Sequence, residues 1–218
     1  MKLVGWISST LALVDGAFAG PTVSPKPEWA PVVLVHGIYS SSRDMARMAR
    51  HLRASGREVF TPDLSPNCGR ARIDELAQQL AHYTSTHLAG RKFDLVGFSM
   101  GGLVSRYYVQ RLGGAECVGH FVTLSAPHQG TVLAEVNRLP GVVQMRRTSE
   151  FLRDLERDSH RLAKVKFTSF YTPLDLVIVP ARSSEMQQAR NVSIWAWSHP
   201  SMILEKRCIR AVAAVLES

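Results

Sequence analysis

Phe93-Asp94-Leu95-Val96-Gly97-Phe98-Ser99-Met100-Gly101-Gly102 is the stretch that decides the fold. Its first half is an apolar run of strand length, and its second half opens a helical stripe of Leu103, Val104, Tyr107, Tyr108 and Leu112. Between them stands G-x-S-x-G. Chance alone supplies on the order of 0.1 such pentapeptides in a chain of ordinary glycine content, so the strand–turn–helix context carries the reading. A turn this sharp strains the serine backbone and exposes its Oγ, and glycines two residues to either side tolerate the crowding. The helix that follows points its free N–H groups at the same spot.

Outward from this elbow the pattern alternates strand and helix. Val32-Val33-Leu34-Val35 reads as a central parallel strand, apolar on both faces. Met45, Met48, Ala49 and Leu52 recur at helical spacing. A short strand at Glu58 to Thr61 ends at Pro62, and Ile73, Leu76, Ala77 and Leu80 stripe a second helix. Gly113-Gly114 closes the helix after the elbow. Phe121 to Leu124, Phe167 to Tyr171 and Val192 to Trp197 read as further strands. Cys208, Ile209, Val212, Val215 and Leu216 mark a last helix. The expectation is an α/β chain: a mostly parallel central sheet with helices on both faces. Residues 131–164 interrupt the alternation; they read as a short cap or lid, or as a longer crossover with one helix behind a Thr148/Ser149 cap.

A serine hydroxyl needs a base, and the base an orienting acid, in the chain order serine, acid, histidine. Asp175 lies just past the strand ending at Tyr171, and His199 just past the strand expected to end at Trp197. Both sit at carboxyl ends of strands, where open α/β sheets gather ligands. Glu185 and Asp158 are weaker rivals for the acid. His160 comes too early in the chain, His51, His82 and His87 ride on helices, and His120 opens a strand. Asp63 and Asp94 precede the serine and read as anchors of loops or strand ends. The oxyanion donors expected are the backbone N–H of Met100 and that of Ile38, after His36-Gly37 at the end of the first strand.

Composition bounds the rest. The 218 residues, 45% hydrophobic and 20% charged, suit a single core, so residues 20–218 read as one domain. Three cysteines make no disulfide framework, and Cys68, Cys117 and Cys208 lack metal-ligand spacing, so neither metal nor cofactor is expected. Lys and Arg number 26 against 18 Asp and Glu, a formal net charge of +8. Basic residues are interleaved with carboxylates, and no aromatic stacking platform accompanies them, so nucleic acid is not an expected partner. Residues 1–19 carry one lysine, a short apolar stretch and Ala17-Phe18-Ala19, the outline of a secretory leader. A secreted or periplasmic protein is expected, with a cytoplasmic one as the alternative.

"VVLVHGI" (32–38), "LVGFSMGG" (95–102), "TLSAPHQGT" (123–131) and "YTPLDLVIVP" (171–180) together resemble the bacterial lipase and esterase branch of the α/β-hydrolases. The resemblance spans roughly residues 30–215. It implies the α/β-hydrolase fold and cleavage of carboxylic esters through an acyl-enzyme on Ser99, with Asp175 and His199 completing the triad and Ile38 and Met100 the oxyanion hole. His128 of the "PHxG" element is implied to be structural beside the pocket, as are His36 and Gly37. A small-molecule or lipid ester substrate, transient contact with a lipid surface and a monomeric state are the implied partners. Calcium ligands of the branch have no counterpart here. The alternatives are a thioesterase, phospholipase or amidase on the same triad, or a binding protein on an inactive hydrolase scaffold.

Overall fold

A computed structural model describes residues 29–218, so the expected leader at residues 1–19 lies outside the described residues. The elements, in chain order, are β1 (Val32–Val35), α1 (Ala46–Ala54), β2 (Val59–Phe60), α2 (Ile73–Leu88), β3 (Phe93–Phe98), α3 (Met100–Arg111), α4 (Gly114–Cys117), β4 (Val118–Leu124), α5 (Pro140–Val143), α6 (Glu150–Arg157), β5 (Lys166–Tyr171), β6 (Arg190–Ser193), α7 (Ser201–Leu204) and α8 (Lys206–Leu216). Short 3-10 turns at Val132–Val136, Ser159–Lys164 and Ala181–Ser184 fill the longer connections. All six strands pair in parallel, in the order β2-β1-β3-β4-β5-β6.

Alternation along the strands builds two cores. Val33, Val35, Leu95, Phe121 and Phe167 face α2 and α3, meeting Leu76, Leu80, Leu103 and Tyr108. Val32, Leu34, Val96, Val122 and Phe170 face the other way, onto Met48 and Leu52 of α1 and Ile209 and Val212 of α8. Both faces are therefore covered, which is why these strands read as continuous apolar runs.

The chain steps from β1 outward to β2 and then returns to the other side of β1 with β3. That reversal puts the loops following β1 and β3 side by side at the carboxyl edge, the position where open α/β sheets form their crevice.

Several boundaries depart from the sequence reading; β4, for one, begins at Val118 instead of Phe121. The last strand stops at Ser193 instead of Trp197. Thr172 causes this: its Oγ1 donates to Ala196 O at 2.7 Å and accepts from Ala196 N–H at 3.3 Å, replacing ladder bonds and drawing the chain out of the sheet. Gly113 (φ 84°) ends α3 but leads at once into the single turn of α4. Residues 131–164 hold several short helical pieces around the one expected helix, α6, whose Ser149 cap accepts from Leu152 N–H at 3.2 Å. The segment runs from β4 to β5 and is their crossover connection.

Candidate active site

Ser99 occupies the turn between β3 and α3 with φ 53° and ψ −126°, a backbone conformation that non-glycine residues rarely adopt. Its N–H donates to Leu124 O at 2.9 Å, and its carbonyl accepts from Gly102 N–H at 2.9 Å, so the turn is held from both sides. Close packing dictates the glycines around it. A Cβ on Gly101 would run into the β1 carbonyls, 2.6 Å from Val35 O, and one on Gly37 would stand 3.0 Å from Ser99 Cβ. The loop after β1 is therefore pressed against the serine turn. Neither Ile38 N–H, on that loop, nor Met100 N–H, the first of α3, donates a hydrogen bond among the described residues. Two free amides flank Ser99, and both belong to segments fixed by the sheet.

His36 fastens the loop. Leu64 N–H donates to its Nε2 at 3.0 Å, so the ring proton resides on Nδ1, 3.0 Å from Gly37 O. In this tautomer the imidazole is neutral, and its 3.9 Å approach to the exposed Asp63 is no ion pair.

The structure brings Asp175 and His199 together. Asp175 Oδ2 lies 2.8 Å from His199 Nδ1, and Oδ1 accepts from the N–H groups of Val177 and Ile178, each at 2.9 Å. Both side chains are buried. Burial opposes the Asp175 charge. The hydrogen bond and charge interaction with His199, the Ile178 N–H and the nearby Ser125 hydroxyl outweigh it and hold the carboxyl below its usual range. An ionised Asp175 orients the imidazole with its proton on Nδ1, leaving the Nε2 lone pair free. The His199 ring sits against Phe98, the residue before Ser99, at 4.8 Å between centroids. Among the described residues, no hydrogen bond joins Ser99 Oγ to His199.

The rivals lie elsewhere. Glu185 accepts from Tyr171 O–H at 2.7 Å, and Asp158 is engaged by Gln110 and Arg111. Asp63 receives the Ser42 N–H and hydroxyl, while Asp94 pairs with Arg57. Both do anchor loops and strand ends.

His128 is buried beside β4 and β5, and its hydrogen bonds and ring contacts reach none of the three residues above. Ser169 donates to Ser184 O at 2.6 Å and Thr123 donates to Ser169 at 3.0 Å, so Thr123 Oγ1 must accept from His128 Nε2–H, 3.1 Å away. Burial, with the adjoining Arg106 guanidinium, pushes the imidazole pKa well below its usual value and keeps it neutral. His128 lines a cavity of about 770 Å³ between α6 and the segments following β4 and β5, one that Ser99, Asp175 and His199 do not touch.

Sequence reasoning missed two residues that shape this site. Ser125, fully buried with φ 46° just past β4, helps hold the Asp175 carboxyl below its usual range, although its hydroxyl has no hydrogen-bond partner among the described residues. Thr131 accepts from Val179 N–H at 3.0 Å and donates to Val177 O at 2.8 Å, so it grips the Asp175 loop from the start of the crossover. Neither carries a local signal, because each acts on residues more than forty positions away in the chain.

Residues 31–174, about two thirds of the chain, match the family described as palmitoyl protein thioesterase. A triacylglycerol lipase of Pseudomonas fragi is 30% identical over 115 residues, covering 50% of this chain and 38% of the lipase. One from Burkholderia plantarii is 28% identical over 145 residues, covering 62% and 39%. The aligned part thus spans about two fifths of these lipases. The fold matches mature Bacillus licheniformis lipase BlEst2 with a TM-score of 0.78 at 20% identity, over 90% of this chain and 96% of that one. It matches Aspergillus fumigatus lipase B at 0.71 and 17% identity, over 87% and 53%.

Proposed function

The chain belongs to the palmitoyl protein thioesterase family, within the lipase and esterase type of α/β-hydrolase, and on that premise we propose that it is a serine hydrolase of acyl esters. The observation that carries the reading is the strained Ser99 turn, flanked by two unengaged amides and by a paired Asp175–His199. Ser99 Oγ attacks the acyl carbonyl while His199 Nε2 takes its proton. Asp175 holds the imidazole and stabilises the imidazolium. The N–H groups of Ile38 and Met100 receive the developing oxyanion. His199 then protonates the departing alcohol or thiol, leaving an acyl-enzyme. Water, deprotonated by His199, attacks the acyl group, and collapse restores Ser99.

A long acyl chain or other lipid-like group is the substrate class we favour. The exposed large apolar side chains among the described residues lie on the loops that carry these groups. Tyr39 follows the Ile38 loop; Leu176 (82% exposed) and Val177 follow Asp175. Trp195, Trp197 and Leu204 flank His199, while Val132, Leu133 and Val136 (89%) open the crossover bound to the Asp175 loop. An apolar collar of this kind, around a reactive centre, marks a lipid-contacting surface. The family description favours a second reading, hydrolysis of acyl thioesters through the same steps.

Ser99→Ala is expected to fold normally and to lose at least about 10³-fold in turnover of p-nitrophenyl acyl esters, together with fluorophosphonate labelling. Wild-type-like turnover by the variant overturns the assignment. A series of p-nitrophenyl esters and acyl-CoA thioesters of increasing chain length separates lipid esters, short esters and thioesters.

A further inference from the structure

On the flank below the catalytic edge, α1 and α8 enclose a cavity of about 310 Å³ lined by Arg47, Arg50, His51, Ala54, Lys206, Ile209 and Arg210. The spacing explains the arrangement. Arg47, Arg50, His51 and Ala54 stand at i, i+3, i+4 and i+7 on α1, and Lys206, Ile209 and Arg210 at i, i+3 and i+4 on α8, so each helix turns one stripe inward. The basic side chains are exposed, and no acidic residue joins the lining.

Ten of the twenty arginines reach a carboxylate, Arg57, Arg72, Arg91, Arg106, Arg111 and Arg161 among them. The four cations of the cleft do not. Among the described residues, Arg47, Arg50, Lys206 and Arg210 have no hydrogen-bonding or ion-pairing partner for their side chains. The nearest carboxylate in sequence, Glu205, is turned to Arg207 and to Trp197 N–H. Like charges one turn apart destabilise a helix, and Lys206 adds a cation where the first turn of α8 favours an anion. Four uncompensated cations facing one concavity, over the apolar floor of Ile209, form a site for multiple negative charge.

We propose that the α1–α8 cleft binds a phosphoryl group, carried by the headgroup of an anionic phospholipid or by a soluble phosphate ester. Guanidinium groups suit phosphate oxygens in pairs. The site is independent of Ser99 chemistry and holds whether or not the chain cleaves esters.

The full chain is tested for co-sedimentation with vesicles of phosphatidylcholine alone and of phosphatidylcholine mixed with phosphatidylglycerol, and separately for calorimetric binding of inorganic phosphate. The double variant Arg50→Glu/Arg210→Glu is compared after its fold is checked by circular dichroism. Should it misfold, Arg50→Gln/Arg210→Gln takes its place. Binding to the mixed vesicles alone, weakened by salt and reduced roughly tenfold or more in the variant, supports the proposal and assigns the lipid source. Saturable phosphate binding that the variant loses, without vesicle binding, supports it and assigns the soluble source. Binding of neither probe, binding undiminished by the substitutions, or preference for an oligonucleotide over both probes overturns it.

Discussion

Asp175 shows how one carboxylate is specified by residues from three parts of the chain. His199 takes one oxygen, the N–H groups of Val177 and Ile178 take the other, and Ser125 contributes from just past β4. Replacing it with Asn leaves the shape but permits the wrong imidazole tautomer, so Asp175→Asn is expected to lower kcat on p-nitrophenyl esters by about 10³–10⁴-fold. His128 makes an opposite electrostatic statement. Its pKa is lower folded than unfolded, so the unfolded chain binds the extra proton and stability falls as pH drops below about 6.5. In His128→Asn that dependence disappears. Urea melts from pH 7 to 5 are expected to show a slope shallower than wild type by up to about 1.4 kcal/mol per pH unit. Equal slopes would mean that the buried imidazole protonates in place.

Among the elements, the crossover between β4 and β5 is the piece whose role sequence could only partly reveal. Its helix α6 was legible, since the Thr148/Ser149 cap is a local signal. Its attachment was not. Thr131 binds both Val177 and Val179, and Val132 N–H donates to Val179 O at 3.0 Å, so the root of the segment is tied to the Asp175 loop. A segment rooted this way fixes the loop that carries Asp175. Thr131→Val keeps the shape of the side chain and removes both hydrogen bonds. It is expected to lower kcat roughly tenfold to hundredfold with KM little changed, while Thr131→Ser restores most of it. An unchanged kcat in the valine variant removes Thr131 from the positioning of Asp175. The same contrast explains the strands. Buried β1 and β3 were readable because both faces are apolar, whereas edge strand β6 was overrun by four residues because a distant hydroxyl, that of Thr172, decides where it ends.

At the scale of the whole molecule, the sheet separates two polar assemblies. The carboxyl edge carries Ser99 in its turn after β3 and the hydrogen-bonded pair Asp175 and His199; chain order singled out the pair, whereas the strand end expected before His199 lies at Ser193 and not at Trp197. The opposite edge carries a network that sequence could not foresee. Arg57, buried, donates to Asp94 Oδ2 at 2.8 Å, to Ala30 O at 3.1 Å and to Leu216 O; Asp94 Oδ1 also accepts His120 N–H and faces His120 Nδ1, both at 2.9 Å. Asp94 thereby joins β3 and β4 to the segment before β2 and to the end of α8. Replacing one member of such a pair strands the other charge out of water. Asp94→Asn is expected to destabilise the fold by about 3–5 kcal/mol, more than replacement of an exposed carboxylate such as Asp154. Much of that loss comes from the uncompensated Arg57, so adding Arg57→Met to Asp94→Asn is expected to recover part of it. Denaturant melts of both variants decide the matter. If the double variant is no more stable than Asp94→Asn, the network stabilises through its hydrogen bonds to Ala30, Leu216 and His120 rather than through the charge pair.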